Sequence, residues 1–368
     1  MLKTLNTLVR NTLLVLLLIG SPGLIFAQSE ASGIFLLIAP GARAGGMGEA
    51  QVALANDAYA SYWNPAGLAF QDKQELAAMH VNWLPGLADD LYYEFVAYQR
   101  NVPNLGTFGA HFVYLSLGEQ IRTGETGPDA LDTFYSYMWN ISLSYGAALN
   151  DHSAFGMNAK VYRQFLAPEG AAAELDKDGA STDFAFDLAY LNKQLFTDRL
   201  AFGATLSNMG PSVTFIDADQ ADPPPTTLRV GVNIAAIQGE HNTVNIVYDA
   251  SKMLVAKDDQ GRAVPFYKAI FTSWFDDDPQ TEINQILHNF GAEYWYSQMF
   301  AIRVGGFYQV SGDFTSGSDD PGEAGGYPIP TFGAGIRYAN YGFDFGYIAG
   351  DDNHPLNNTM RFSLNMQF

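Results

Sequence analysis

From Gln74 to Phe368 the chain repeats one pattern, in which short segments of alternating apolar and polar residues are separated by turn-forming residues. A period of two places successive side chains on opposite faces of a β-strand. Several segments have about ten residues, the length of a tilted strand that crosses a bilayer. The fourteen segments are 74–83, 90–99, 106–115, 134–149, 153–165, 181–192, 199–208, 226–237, 243–250, 289–296, 299–310, 331–338, 341–348 and 360–368.

The last segment alternates most clearly. One face carries Phe362, Leu364, Met366 and Phe368, and the other carries Arg361, Ser363, Asn365 and Gln367. A strand of a soluble sandwich can alternate in the same way. An aromatic residue at the end of the terminal strand is typical of outer-membrane barrels, whose assembly machinery reads that strand. We therefore predict a transmembrane barrel over residues 74–368.

The lengths of the connections support this strand count. Outer-membrane barrels have short periplasmic turns and longer outward loops. With both chain ends in the periplasm, every predicted connection after an even-numbered segment has six residues or fewer. Every connection after an odd-numbered segment except the first exceeds ten residues. A wrong count would disrupt this alternation, so the pattern favours an all-β, antiparallel barrel of about fourteen strands.

Composition agrees with a barrel in the outer membrane. The net charge of −20 excludes a basic face for nucleic acid, because phosphate binding requires clustered lysine and arginine. The absence of cysteine means that backbone pairing and packing must stabilise the fold. Tyrosine and tryptophan near segment ends suggest girdles in contact with outer-membrane lipid. The girdle residues are Trp83, Tyr92, Tyr93, Tyr98, Tyr114, Tyr135, Tyr137, Tyr294, Trp295, Tyr296, Tyr338 and Tyr341.

Residues 1–27 have the features of a cleaved secretory signal peptide. Lys3 and Arg10 are its only charges, a short apolar run spans Thr12–Gly20, and Ala27 ends a cleavage site. An uncleaved anchor is the alternative, but the apolar run is too short to span a bilayer comfortably. We therefore expect export and a place in the bacterial outer membrane.

Residues 28–73 interrupt the strand pattern and predict a short helical plug in the lumen. The stretch from Gly41 to Phe70 is rich in glycine and alanine, and glycine lets backbone approach backbone closely. We expect helix from Glu49 to Tyr62, and a second start at Asn64-Pro65, since proline behind an asparagine cap is a common helix start. The plug motif comprises Gly41, Arg43, Gly45, Gly46, Met47, Gly48, Glu49, Asn64 and Pro65.

Arg43 and Glu49 are charged residues in a segment of small residues, and buried charges need partners. The lumen face of the strands offers Asp183, Asp187, Glu293, Arg303, Arg337 and Asp344. We hypothesise that Arg43 pins the plug by pairing with lumen carboxylates. A hydrated surface arginine is the alternative.

No motif indicates an enzyme, a metal centre or a cofactor. Gly46-Met47-Gly48 resembles the start of a dinucleotide-binding loop, but Gln51 occupies the third glycine position and no βαβ unit follows. The histidines lack the spacing of a zinc helix, and no G-x-S-x-G sequence occurs. The acidic outward loops match no defined calcium-binding spacing; a solvated rim is the simpler interpretation, and calcium binding stays open.

The residues resemble one known family, the PorV/PorQ group of outer-membrane proteins of the type IX secretion system. The similarity is carried by FLLIAPGARAGGMGEAQVALANDAYASYWNPAGLAF at 35–70, LSNMGPSVTF at 206–215, PPTTLRVG at 224–231, GAEYWYSQMFAIRVGGFY at 291–308 and TFGAGIRYANYGFDFGYI at 331–348. Asn64-Pro65-Ala66 is similar to a turn in FadL-type transporters, which have fourteen strands and an N-terminal hatch.

The resemblance implies a function in secretion. Proteins of this group bind secreted cargo through its C-terminal sorting domain and pass it from the translocon to the cell-surface attachment complex. The expected partners are therefore such cargo proteins and the other type IX components. One alternative is a FadL-like transporter of small hydrophobic molecules, which the polar lumen residues Arg361, Ser363, Asn365 and Gln367 disfavour. A second alternative is a paralogue of this family with a purely structural or other role.

Overall fold

In the computed structural model, fourteen antiparallel strands close into a barrel in which each strand pairs with its sequence neighbours and β1 pairs with β14. The structure describes residues 31–124, 127–171, 177–215, 220–258, 260–310, 328–350 and 356–368. The predicted signal peptide, residues 1–27, lies outside the described residues. The predicted fold class is confirmed.

The strands have the following bounds: β1 Glu75–Asn82, β2 Leu91–Val102, β3 Gly106–Gly124, β4 Gly127–Ala148, β5 Ser153–Ala167, β6 Gly179–Asn192, β7 Leu200–Met209, β8 Thr227–Gln238, β9 Asn242–Met253, β10 Leu287–Tyr296, β11 Phe300–Tyr308, β12 Ile329–Tyr338, β13 Tyr341–Ile348 and β14 Thr359–Gln367. The connections at the predicted periplasmic end are short, and the longest, 193–199, has seven residues, one more than the predicted maximum of six. The longest outward loop that lies mostly within the described residues is 254–286.

Alternation along the strands separates lumen from lipid. In β14, Arg361 and Ser363 are buried toward the lumen, whereas Phe362 and Leu364 are exposed on the outer surface. The terminal Phe368 stacks on Tyr98 of β2, with ring centroids 6.4 Å apart. The strand that ends the chain therefore completes the barrel wall and places its aromatic residues toward lipid.

The second outward connection is not the loop that the sequence predicted. The predicted segments 106–115 and 134–149 leave residues 116–133 as a loop, but β3 continues to Gly124 and β4 begins at Gly127. The pairing shifts between Ser116 and Glu119, where Gly118 has a φ of 73°. A bulge adds a residue to one strand and inverts the faces beyond it. The alternation of apolar and polar residues therefore breaks at Gly118. Beyond it, the sequence pattern no longer indicates that β3 and β4 continue.

A row of aromatic rings follows the outward rim of β2 to β5. Their successive centroids lie 6.0, 6.1 and 5.2 Å apart, in the order Tyr92, Tyr114, Tyr137 and Phe165. Such rows settle at the membrane–water interface. Two of the predicted girdle residues instead face the lumen, because neighbouring residues on a strand face opposite sides. Tyr93 is 1% exposed and Trp295 is 7% exposed.

Residues 31–70 lie mostly buried against the inner faces of the strands. They form a 3-10 helix at Ile34–Leu37, α1 at Ala42–Gly45, α2 at Ala60–Trp63 and a second 3-10 helix at Pro65–Phe70. Two further helices, α3 at Phe266–Thr272 and α4 at Pro279–Asn284, belong to loop 254–286. None of the helices in the described ranges is long and apolar enough to cross a membrane.

The predicted helix over Glu49–Tyr62 is wrong for most of its length. The chain has turns here, and Glu49 adopts a φ of 61°. The amides of Gln51 and Val52 donate to Asp249 Oδ2 on β9 at 2.9 and 3.0 Å. The wall therefore supplies the acceptor for amides that a helix would bond internally.

Replacing Leu364 with proline should prevent closure of the barrel, because proline removes a backbone donor from a strand paired on both sides. Unheated Leu364→Pro protein should lose the faster-migrating folded band on a denaturing gel. Leu364→Val keeps the donor and should retain that band. A folded band in both variants would contradict the closed β1–β14 seam.

Candidate functional site

The wall behind the plug is built with glycines. A Cβ atom on Gly291 would lie 2.4 Å from the carbonyl oxygen of Met47, and one on Gly305 would lie 2.4 Å from the carbonyl carbon of Met47. From the plug side, a Cβ on Gly46 would lie 2.8 Å from the Cα of Gly333. Real Cβ atoms do not approach other atoms this closely, so the plug backbone contacts the strand backbone directly.

Gly48 and Glu49 adopt consecutive left-handed conformations where the plug meets the wall. Gly48 has a φ of 65°, and a Cβ on it would lie 2.3 Å from the carbonyl oxygen of Gly306. The turn directs Glu49 toward Arg361 of β14, whose Nη2 lies 2.5 Å from its Oε1. The Glu49 carbonyl accepts from Arg229 Nη1 at 3.0 Å. Glu49 therefore joins the plug to opposite parts of the wall.

Buried ion pairs join the plug to β10–β13. Arg43 donates to both carboxylate oxygens of Glu293, at 2.9 Å from Nε and 2.8 Å from Nη2. Arg303 Nε donates to the same carboxylate at 2.7 Å and pairs through Nη1 with Asp344 at 2.9 Å. Arg337 completes the row, 2.7 Å from Asp344. Each charge in this row therefore has a partner of opposite sign.

The inner end of the row lies within the plug itself. Arg43 Nη1 contacts Asp57 Oδ2 at 2.9 Å and Asn56 Oδ1 at 2.6 Å. Asp57 also accepts from the Tyr59 amide at 3.1 Å. A buried guanidinium is tolerated only when its donors are satisfied, and Arg43 reaches three acceptor groups. The structure thus places Arg43 in the lumen, against the carboxylate of Glu293.

Asn64 anchors the other end of the plug. Its Oδ1 accepts from the Ala66 amide at 3.1 Å, which caps the 3-10 helix behind Pro65. Its Nδ2 donates to the carbonyls of Val52 at 2.8 Å and Tyr190 at 3.0 Å. The side chain therefore links two plug segments to β6.

The structure brings the predicted plug residues together in two groups. Arg43, Gly45, Gly46, Met47, Gly48 and Glu49 pack toward β9–β14, with Gly41 beside them against Tyr59 and Met79 of β1, and Asn64 and Pro65 pack toward β4–β6. Phe362, Leu364, Met366 and Phe368 lie on the outer surface, apart from both groups. Sequence reasoning missed Asp57 of the plug as a partner of Arg43, and Asp249 and Arg361 of the wall as partners of the plug. Their charge within a small-residue segment or on the polar face of a strand was the available signal.

Loop 254–286 carries an exposed aromatic surface at the outward end. Tyr267 and Phe271 lie four residues apart on α3 and are 58% and 73% exposed; Phe275 follows at 85%. We call these three residues the aromatic row. Apolar surface of this kind marks sites of protein or membrane contact.

An acidic cluster lies beside the aromatic row. Carboxylate oxygens of Asp276, Asp277 and Glu282 all lie within 4.8 Å of one another. Lys252 Nζ already contacts Glu282 Oε2 at 2.7 Å. Burial, with a hydrogen bond to Glu282, raises the pKa of Asp276 to about 6. The cluster therefore has its own cation and holds the loop to the end of β9.

Comparison with known proteins decides the family. The family described as type IX secretion system protein PorV matches residues 28–260, which include the plug and β1–β9. The chain belongs to the PorV family. It is therefore an outer-membrane component of the type IX secretion system, and the predicted resemblance and location are confirmed. None of the curated protein sequences matches the chain.

Solved structures agree on the architecture. The Ralstonia pickettii toluene transporter TbuX matches with a TM-score of 0.52 and 13% identity, over 90% of this chain and 98% of its own. The Pseudomonas putida toluene transporter TodX matches with a TM-score of 0.50 and 13% identity, over 89% and 96%. A Pseudomonas aeruginosa FadL homologue matches with a TM-score of 0.50 and 12% identity, over 89% and 98%. At these identities the likeness shows a shared FadL-type barrel.

Arg43→Ala should loosen the plug, because it removes the cation that pairs with Asp57 and leaves Glu293 with Arg303 alone; removing one partner of a buried pair costs about 3–5 kcal/mol. We expect faster protease cleavage within residues 41–70 and larger ion conductance in planar bilayers. Arg262→Ala is the matched control, since its ion pair with Asp258 is exposed and worth about 0–1 kcal/mol. Unchanged conductance and protease resistance in Arg43→Ala would rule out pinning by this residue.

Proposed function

We propose that the chain binds secreted proteins through their C-terminal sorting domain at its outward end and passes them from the translocon to the attachment complex. Membership of the PorV family supports the secretion system as the setting. The observation that carries the finer proposal is the exposed aromatic row on an outward loop of a plugged barrel. Aromatic side chains supply much of the binding free energy at protein interfaces.

A plugged lumen favours binding at the rim over passage through the barrel. Met47 and Leu68 of the plug are fully buried, and Trp63 is 2% exposed. The ion pairs of Arg43 and the backbone contacts at the glycines fix the plug on several sides. These contacts occupy the lumen around Arg43 and the glycines, which supports a carrier that holds cargo outside.

The fold is also compatible with the alternative function, a transporter of small hydrophobic molecules. TodX and TbuX are toluene transporters, and their likeness to this chain concerns the fold. The lumen wall near the plug carries Arg303, Glu293 and Asp344, all buried. Charged groups are poor neighbours for an apolar solute. The lumen therefore supports cargo binding more than transport of small hydrophobic molecules.

Replacing the aromatic row should reduce cargo delivery. In a deletion strain complemented with Tyr267→Ser/Phe271→Ser/Phe275→Ser, we expect at least a tenfold loss of a sorting-domain fusion at the cell surface, since one interface anchor contributes about 2 kcal/mol or more. Phe196→Ser is the control, because Phe196 is 91% exposed but lies at the periplasmic end. Quantitative surface labelling measures the fusion, and immunoblotting verifies equal barrel amounts.

The deletion strain also tests the wider proposal. Sorting-domain proteins that still reach the surface without this chain would refute the secretion role. Loss of growth on long-chain fatty acids or of toluene uptake, with normal secretion, would favour the transporter instead. Full delivery by the triple variant, with none in the deletion strain, would refute only the aromatic row as the contact.

A further inference from the structure

A further candidate binding site, distinct from the aromatic row, lies at the periplasmic end of the barrel. A cavity of about 330 Å³ opens between the plug and the strands β6–β9. The lining includes Leu54 and Asn56 of the plug and Lys193 and Arg199 of the turn 193–199. The volume is at the lower end of the range for ligand pockets. The cavity is separate from the aromatic row and is not needed for the ion pairs of Arg43 with Glu293 and Asp57, which we call the plug anchor.

One buried side chain in the cavity has an unused acceptor. Asn233 of β8 lines it, is 8% exposed, and its Oδ1 has no hydrogen-bond partner. A buried polar atom without a partner costs free energy. A ligand with an N–H or O–H group at this position would satisfy it.

The charged side chains that line the cavity are mostly cationic, unlike those of the chain as a whole. The whole sequence has a net charge of −20, yet this cavity presents Lys193 and Arg199 against the single carboxylate of Asp198. Lys193 Nζ lies 3.8 Å from the ring centroid of Phe70, a cation–π contact that holds the ammonium group at the mouth of the cavity. A negatively charged group is therefore favoured there.

Part of the cavity lining, which we call the floor, is apolar. Leu54, Leu191, Ala201 and Ala235 line it and are 3–8% exposed. An apolar side chain placed against them would leave water, which is favourable in proportion to the buried area. The cavity thus combines an apolar floor, one unused acceptor and two cations.

We propose that this cavity binds a short acidic peptide segment presented from the periplasm. A carboxylate of the peptide contacts Lys193 and Arg199, a backbone N–H donates to Asn233 Oδ1, and an apolar side chain packs against Leu54. A fatty carboxylate would supply the charge and the apolar chain but no donor for Asn233. The proposal does not depend on cargo binding at the outward end.

The bound peptide would lie beside the plug anchor. Asn56 lines the cavity, and its Oδ1 accepts from Arg43 Nη1 at 2.6 Å. One side chain therefore separates the ligand from the ion pair between Arg43 and Glu293. A peptide that binds from the periplasm and contacts Asn56 would therefore act on a side chain that directly contacts Arg43.

The test uses the purified full chain in detergent and a fluorescein-labelled, C-terminally amidated Leu-Asp-Leu peptide, followed by fluorescence anisotropy. Lys193→Gln/Arg199→Gln should weaken binding about tenfold or more, as loss of charge-assisted hydrogen bonds predicts. Asn233→Ala should weaken it as well, and a Leu-Asn-Leu peptide should bind more weakly than Leu-Asp-Leu. Arg262→Gln/Lys268→Gln changes the same charge on the outward loop and should bind as the unmodified chain does.

Three outcomes would overturn the proposal. These are absence of measurable binding, equal binding of the Leu-Asn-Leu peptide, and equal binding by the Lys193→Gln/Arg199→Gln variant. Full displacement of the peptide by dodecanoate, with no loss in Asn233→Ala, would assign the cavity to an apolar carboxylate and reject the peptide. The folded, heat-modifiable band of each variant excludes misfolding as the cause of a loss.

Discussion

The bidentate contact between Arg43 and Glu293 is the interaction on which the arrangement of the lumen depends. A guanidinium inside a barrel is costly unless all its donors are used. Arg43 meets this requirement by reaching Glu293 on the wall and Asp57 on the plug at 2.8 and 2.9 Å. Glu293 in turn needs Arg303, and Arg303 needs Asp344. A charge in the plug thereby constrains residues on three strands, and the glycines allow the close approach that these distances require.

Because the plug occupies the lumen, the candidate binding surfaces of the chain lie at the two rims of the barrel. The outward rim exposes the aromatic row on loop 254–286, and the periplasmic rim contains the cavity beside Lys193 and Arg199. The lumen between them is occupied and charged. This division differs from that of a pore, in which the selective residues line the central path. It agrees with the proposed binding of other proteins at the rims of this PorV-family barrel.

The sequence predicted the wall better than the plug, for a physical reason. A strand with lipid on one side and polar lumen on the other must alternate, so period and strand number can be read directly. The pattern failed at Gly118, where a bulge inverts the faces. In the plug, Glu49–Tyr62 contains good helix formers, but Asp249 takes the amides of Gln51 and Val52. The need of Arg43 for a carboxylate was predictable from burial, whereas the choice of Glu293 depends on barrel register.

The plug also connects the rims to each other. At the outward end, the Ser32 amide donates to the Pro223 carbonyl at 2.9 Å, and Lys257 of loop 254–286 pairs with Asp222 at 3.0 Å. At the periplasmic end, Asn56 lies between Arg43 and the cavity. Interlocked ion pairs and backbone contacts do not deform gradually, because each is either made or broken. A displacement of the plug large enough to separate Arg43 from Glu293 would therefore disturb both rims together, whereas smaller motions would leave both unchanged.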